Sequence, residues 1–362
     1  MIAGETLPEC EVCNDKLLNT SVYRSYFNQL FGHKYNEAME KTQPSGATTM
    51  QPVSWDYRFS NLCNFKCRMC GDMLSSAWES EQRQHNMIDW NNSKNNWMIP
   101  EIKKQIEKFQ DTQIEAEFNQ AVEEHRVEEV YWVGGEPLMY EQHWRYMTRI
   151  IELGDGPNVY ARYNTNLSRI NYKGINLYND ILSRIRDWQI CASLDGTGKI
   201  GEYIRTGLNY SEWLENFRQG TAIASHRRQM RIDFTLTLPG MFEVVNIQRL
   251  AKEEKVDILA KVIFSFSPDI VMSPLALPRN LLDPWADEII SVVENNPLKD
   301  ILVQLKTRPT FEEQWPDQYR IAIAKGKQRV LQLEKIRGDS FTIRDIFSQR
   351  AQVLEWWDSI EN

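Results

Sequence analysis

Residues 58–71 read RFSNLCNFKCRMCG, a loop between a strand-like run at 53–62 and a helix-capable stretch starting at 75. Strand, loop, then helix is the unit of a parallel α/β fold. Within the loop Cys63, Cys67 and Cys70 form a CxxxCxxC arrangement. Two short intervals let one loop wrap three thiolates around one metal centre, and thiolates are the soft ligands taken by iron-sulfur clusters and zinc. Structural zinc wants a fourth ligand nearby, yet the loop holds no His and no fourth Cys; His85 is the nearest His. Three ligands on a four-iron cube leave one iron open to a substrate or cofactor. Fortuitous buried cysteines are the bland alternative.

The same rhythm recurs along the chain. Strand-like runs at 127–133, 158–164, 188–194, 230–238 and 258–265 alternate with helical patterns at 140–153, 177–186, 210–224 and 242–254. Six β/α units in about 220 residues fall short of the eight units and roughly 250 residues of a closed barrel. The expected architecture is α/β, a partial, open (β/α)6 TIM-like barrel; pattern alone leaves a doubly wound sheet open. Residues 80–125 interrupt the rhythm with an Asn-rich patch and a helix carrying Ile99, Ile102, Ile106 and Phe109 at helical spacing, expected to pack on the domain or cover its open end. Residues 1–52 read as an N-terminal appendage, 53–266 as the core, and 267–362 as a C-terminal helical extension with helices at 283–294 and 342–360.

A second motif, VYWVGGEPL at 130–138, places two glycines at the carboxyl end of a strand. Such glycines permit positive φ or close approach of backbone to a ligand, although an ordinary turn explains the stretch equally well by itself. Asn164, Thr165 and Asn166 end the third strand; turn formation is their simpler reading. The fourth strand reads WQICASLDG at 188–196, and Cys191 on it is expected to be a small packing residue. Arg205 could reach a carboxylate or lie on the surface. Asp233, Thr235 and Thr237 share a strand face with Arg231, a candidate polar row lining the barrel.

Together the two motifs resemble a known family. CxxxCxxC with Phe65 and Met69 between the cysteines resembles the signature of the radical S-adenosylmethionine superfamily, and the whole stretch resembles its twitch or SPASM-related branch. The resemblance implies a [4Fe-4S] cluster on Cys63, Cys67 and Cys70, with S-adenosyl-L-methionine bound at the open iron. It assigns Gly134 and Gly135 to backbone contact with the methionine moiety, Glu136 to pairing with its ammonium, and Pro137 to stiffening the strand exit. Phe65, Met69, Asn164, Asn166, Ser193 and Asp195 become cofactor-binding candidates. The expected activity is reductive cleavage to a 5'-deoxyadenosyl radical that takes hydrogen from a peptide or protein. The expected electron donor is a low-potential protein of flavodoxin or ferredoxin type. The alternatives are RNA or small-molecule modification, or a non-enzymatic metal or iron-sulfur scaffold. PECEVC at 8–13 resembles a region that binds an auxiliary cluster in that branch. Cys10 and Cys13 are two ligands where four are needed, so a vestigial or truncated module is the reading.

Composition bounds the rest. Of 362 residues, 42% are hydrophobic and 25% charged, ordinary values for a globular protein with a sizeable core. The net charge of −8, from 50 acidic and 42 basic residues, disfavours broad adhesion to nucleic acid or anionic membrane. No apolar run approaches the roughly 20 residues of a membrane span, and the first ten residues lack a secretory pattern, so a cytoplasmic chain is expected.

Overall fold

The computed structural model of the chain describes residues 23–58, 60–294 and 296–361, with the side chains of residues 23–25 outside that description. The pair Cys10 and Cys13 therefore lies outside the described residues. Two compact units are present, Met1–Val53 and Ser54–Asn362. In the described part of the first, helices Tyr23–Phe31 and Tyr35–Lys41 are joined by a single 3-10 turn, Gly32–Lys34.

The second unit is built on six strands: β1 Ser54–Tyr57, β2 Glu129–Trp132, β3 Tyr160–Thr165, β4 Asp187–Ser193, β5 Met230–Leu236 and β6 Asp257–Val262. They lie in one sheet in chain order, every neighbouring pair parallel. A doubly wound sheet reverses its strand order at a switch point; this one never reverses. Right-handed crossovers then place the connecting helices on one side, and β1 does not pair with β6, so the sheet is a partial (β/α)6 barrel.

The two faces of the sheet differ in kind. Residues in register share a face, and one face carries Trp132, Tyr163, Ile190, Ile232 and Phe234, all buried in the core. The opposite face carries Glu129, Arg162, Asn164, Asp233 and Lys261 on neighbouring strands. Parallel strands buried on both faces read as continuous apolar runs. Here the strands alternate, because the inner face lines a hollow rather than a second helical layer.

Several expected elements take a different form. The helix expected at 177–186 is a π turn, Leu177–Ile181, followed by a 3-10 turn, Leu182–Arg184. The closing helix expected at 342–360 is two helices, Ile343–Phe347 and Ala351–Ser359. Three helices of the C-terminal part were not expected: Pro297–Thr307, the short Phe311–Gln314 and the 22-residue Pro316–Arg337. The inserted helix Pro100–Phe109 does form, but Ile102, Ile106 and Phe109 on it are exposed instead of packed. No described helix is long and apolar enough to cross a membrane.

Pro316–Arg337 ends on an ion pair that anchors it to the first α/β unit. Arg337 Nη2 lies 2.7 Å from Glu81 Oε2, with both side chains almost wholly buried at 2% and 4% exposure. Glu81 also accepts from Lys66 Nζ at 2.6 Å. Removing one partner of a buried pair strands the other charge. Arg337→Met should therefore cost about 3 kcal/mol in urea unfolding; a loss below about 1 kcal/mol would mean that Lys66 alone satisfies Glu81.

Candidate active site

The cysteine loop follows β1 at the carboxyl ends of the strands, the end where barrel proteins gather their reactive groups. It is fastened from both sides by backbone hydrogen bonds. On one side Gly135 N donates to Ser60 O at 3.1 Å and Glu136 N to Leu62 O at 2.7 Å. On the other, Lys66 N donates to Thr206 O and Arg68 N to Ile204 O, both at 2.8 Å. The first contact dictates the glycines. A Cβ on Gly135 would stand 2.3 Å from Leu62 O, and Gly134 has φ +124, a conformation that side chains disfavour. From below, Trp78 Nε1 donates to Cys67 O at 2.7 Å and Ser75 Oγ to Phe65 O at 2.5 Å. Ser75 also caps helix Ser76–Gln84 by accepting from Trp78 N.

Cys67 is buried, and Cys63 and Cys70 are half-buried. Cys67 and Cys70 share a hydrogen bond, which raises the Cys67 thiol and lowers that of Cys70. Burial pushes Cys63 up to about 12. Among the described residues no group of three or more His, Cys, Asp or Glu converges closely enough to hold a metal ion. Arg205 Nη1 lies 4.0 Å from Cys67 Sγ, and its Nε lies 2.7 Å from Asp195 Oδ2. Burial opposes the charge on Arg205, but Asp195 and the thiols outweigh it and raise its pKa. A surface position for Arg205 is thereby corrected: the residue is 9% exposed and bridges the fourth strand's Asp195 to the cysteines. Asp195 is itself wholly buried, its carboxyl raised by that burial against the pull of Arg205, and its Oδ1 accepts from Thr235 N at 2.8 Å. Phe65 is 1% exposed in the core and Pro137 is buried, so both hold their loops down. Met69 is half-buried beside them.

Glu136 lies 1% exposed between β2 and β3. Its Oε1 accepts from Thr165 Oγ1 at 2.6 Å and Leu138 N at 3.0 Å, and its Oε2 from Asn166 N at 2.6 Å. Three of roughly four acceptor sites on the carboxylate are therefore taken. Glu136 thereby braces the second motif against the end of β3. Asn166 passes that brace on. Its Nδ2 donates to Asn64 Oδ1 at 2.9 Å and stands 3.9 Å from Cys63 Sγ.

Below the mouth, the inner face carries a connected polar row. Tyr131 Oη donates to Asn164 Oδ1 at 2.7 Å, Asn164 Nδ2 to Asp233 Oδ2 at 3.0 Å, and Lys261 Nζ to both Asp233 oxygens at 2.8 Å. Arg162 stacks over the Tyr131 ring at 4.3 Å and donates to Glu129 at 2.6 Å. Together these line a cavity of about 300 Å³ that also takes in Cys191. Cys191 is thus buried but turned toward polar groups, not into the apolar core expected for it. Ser193 sits in register with Asp233. Thr237 leaves the row, its Oγ1 accepting from Gly240 N at 2.9 Å.

No family model matches the chain, and no curated protein does. Solved structures similar to it include Streptococcus suis SuiB, at 17% identity and TM-score 0.39, covering 80% of this chain and 59% of that one. Native anSMEcpe with bound AdoMet is 15% identical with TM-score 0.41, covering 68% of this chain and 63% of that one. TYW1 with a lysine-pyruvate adduct is 15% identical with TM-score 0.34, covering 81% of this chain and 93% of that one. The chain thus spans about three fifths of the length of SuiB, and at these scores the likeness carries no functional reading.

Two outcomes follow from this geometry. Gly135→Ala should force the second motif off the cysteine loop and cost about 1–3 kcal/mol, visible as a lowered urea midpoint; an unchanged midpoint would show that the loops separate freely. Burial lifts Glu136 from its ordinary 4.5 to about 7, against its three donors. The folded state therefore holds the proton more tightly, so this contribution is full below pH 4.5 and fades as pH rises through 7. Relative to Glu136→Gln, the parent chain should lose on the order of 3 kcal/mol across that window. Parallel pH-stability curves for the two proteins would refute it.

Proposed function

We propose that this chain is a radical S-adenosylmethionine enzyme in which Cys63, Cys67 and Cys70 hold a [4Fe-4S] cluster. The observation that carries the reading is a single one: a three-thiol loop locked to the Gly135–Glu136 backbone at the carboxyl mouth of a singly wound parallel barrel. The donor set fits such a cluster, because three soft thiols stand beside one fixed cation, Arg205. A lone structural zinc fits less well, since it needs a fourth ligand and the loop holds no His and no fourth Cys.

When bound, the cluster and S-adenosyl-L-methionine supply the hard chemistry, a 5'-deoxyadenosyl radical that takes hydrogen from the substrate. The residues of this chain position and shield. Arg205 offsets negative charge at the thiols, and Asp195 holds Arg205 in place. Gly134 and Gly135 are the proposed backbone contact for the methionine moiety, and without side chains they let this strand end close on the cysteine loop. Glu136, Thr165 and Asn166 fix the third strand's end beside Cys63. Asn164, Asp233 and Lys261 give the hollow beneath a polar lining of mixed sign, and Ser193 adds a hydroxyl to that face.

A peptide or protein is the substrate we favour, supported by the net charge of −8, which works against a nucleic-acid partner. The electron is to come from a low-potential flavodoxin or ferredoxin type of donor. Cys10 and Cys13 are given no second cluster. The test is anaerobic reconstitution with iron and sulfide, followed by reduction in the presence of S-adenosyl-L-methionine. The parent chain should bind about four irons and release 5'-deoxyadenosine; alanine at Cys63, Cys67 or Cys70 should abolish both the cluster absorbance and that product. A variant that keeps both, or a parent chain that takes one zinc instead, refutes the assignment.

A further inference from the structure

The amino ends of β5 and β6, the opposite end of the strands from the cysteine loop, border a cavity of about 890 Å³. That volume suits a small organic ligand. In a chain of net charge −8, the cavity is lined by the cations Arg227, Arg231, Lys252 and Lys255 against the carboxylates Asp257 and Glu294. Two of the cations are matched: Arg227 Nη2 lies 3.1 Å from Asp257 Oδ1, and Lys252 pairs with Glu294.

Arg231 and Lys255 are the two that remain, and Arg231 shows a feature that its neighbours in the protein do not explain. The Nε of Arg231 is shut off from water and has no acceptor. Buried polar groups are nearly always paired, and a bound water or ion is one of the partners that account for an exception. Lys255 follows helix Val244–Glu253 with φ +56, the left-handed position that glycine ordinarily fills at a helix end. Its side chain lines the cavity. Ala251, Val256 and Ile258 supply an apolar wall beside the two cations.

We infer that this cavity binds a small organic anion, its carboxylate or phosphate group held by Arg231 and Lys255 and its carbon skeleton laid on Ala251, Val256 and Ile258. The site lies apart from the cysteine loop and stands whether or not the radical reading holds. Isothermal titration of the full chain with inorganic phosphate and, separately, with hexanoate tests it, with potassium chloride at matched ionic strength as the control. One-to-one saturable binding of at least one probe is expected, and the pair of probes distinguishes phosphate from carboxylate. Arg231→Gln and Lys255→Gly should each weaken that binding about tenfold or more. Lys255→Gly should also raise the melting temperature without ligand, because glycine relieves the left-handed backbone, so its lost binding cannot be blamed on misfolding. Absence of binding by both probes up to about 10 mM, or a variant that binds as tightly as the parent chain, overturns the inference.

Discussion

Two backbone hydrogen bonds, from Gly135 N to Ser60 O and from Glu136 N to Leu62 O, hold the carboxyl mouth of the barrel together. They bring the loop after β1 against the loop after β2 so closely that residue 135 has no room for a Cβ. The rest of the mouth is arranged around that contact. Glu136, placed by its own N–H, turns its carboxylate into the end of β3 and gathers Thr165 and Asn166. Asn166 then reaches back to Asn64, next to Cys63. The second motif thus acts on the first through a closed circuit of short hydrogen bonds, and the position of Cys63 depends on residues of three strands.

The sheet's two-sidedness supplies the other constraint. An apolar outer face lets helices pack, while the inner face keeps charges in pairs: Glu129 with Ser54 and Arg162, Asp233 with Asn164 and Lys261. Buried carboxylates such as these are tolerable only when their oxygens are matched. The lining is therefore buried at its acids and open to solvent at its outermost cation, since Lys261 keeps a side chain 55% exposed while Asp233 keeps 7%.

Much of this was legible in the sequence, for physical reasons that also explain the gaps. The strands and the helices between them announced themselves because apolar residues recur at short, regular spacing. The singly wound order did not, because periodicity carries no information on which strands pair. Helix Pro316–Arg337 escaped notice since its buried stripe, Tyr319, Ile323, Lys327, Val330 and Glu334, mixes charged residues into apolar positions. Cys63, Cys67 and Cys70 were visible from their spacing, whereas Arg205 and Thr165 were weak or neutral candidates. Their importance comes from contacts made across 138 and 29 residues of chain, and the only signal for Thr165 was its place between Asn164 and Asn166 at a strand end. The contacts of Glu136 with Thr165 and Asn166 were not legible, because a motif names a residue without saying which way its carboxylate turns.

The charges hidden in that long helix are what tie the C-terminal part to the cysteine loop. Lys327 Nζ donates to the carbonyls of Trp357 and Ile360, and Glu334 accepts from Tyr203 Oη and Ile343 N. Beyond the helix, Asp339 pairs with Arg68, whose guanidinium stacks 3.8 Å over the Tyr203 ring. Arg68 lies between Cys67 and Met69, and its partner comes 271 residues later. Buried ion pairs add little net stability compared with apolar packing, but they penalise every alternative register heavily. An apolar helix could have covered the same area with more freedom to slide. A polar one fixes the loop's far side just as the glycine contact fixes its near side, and the three thiols are held between the two.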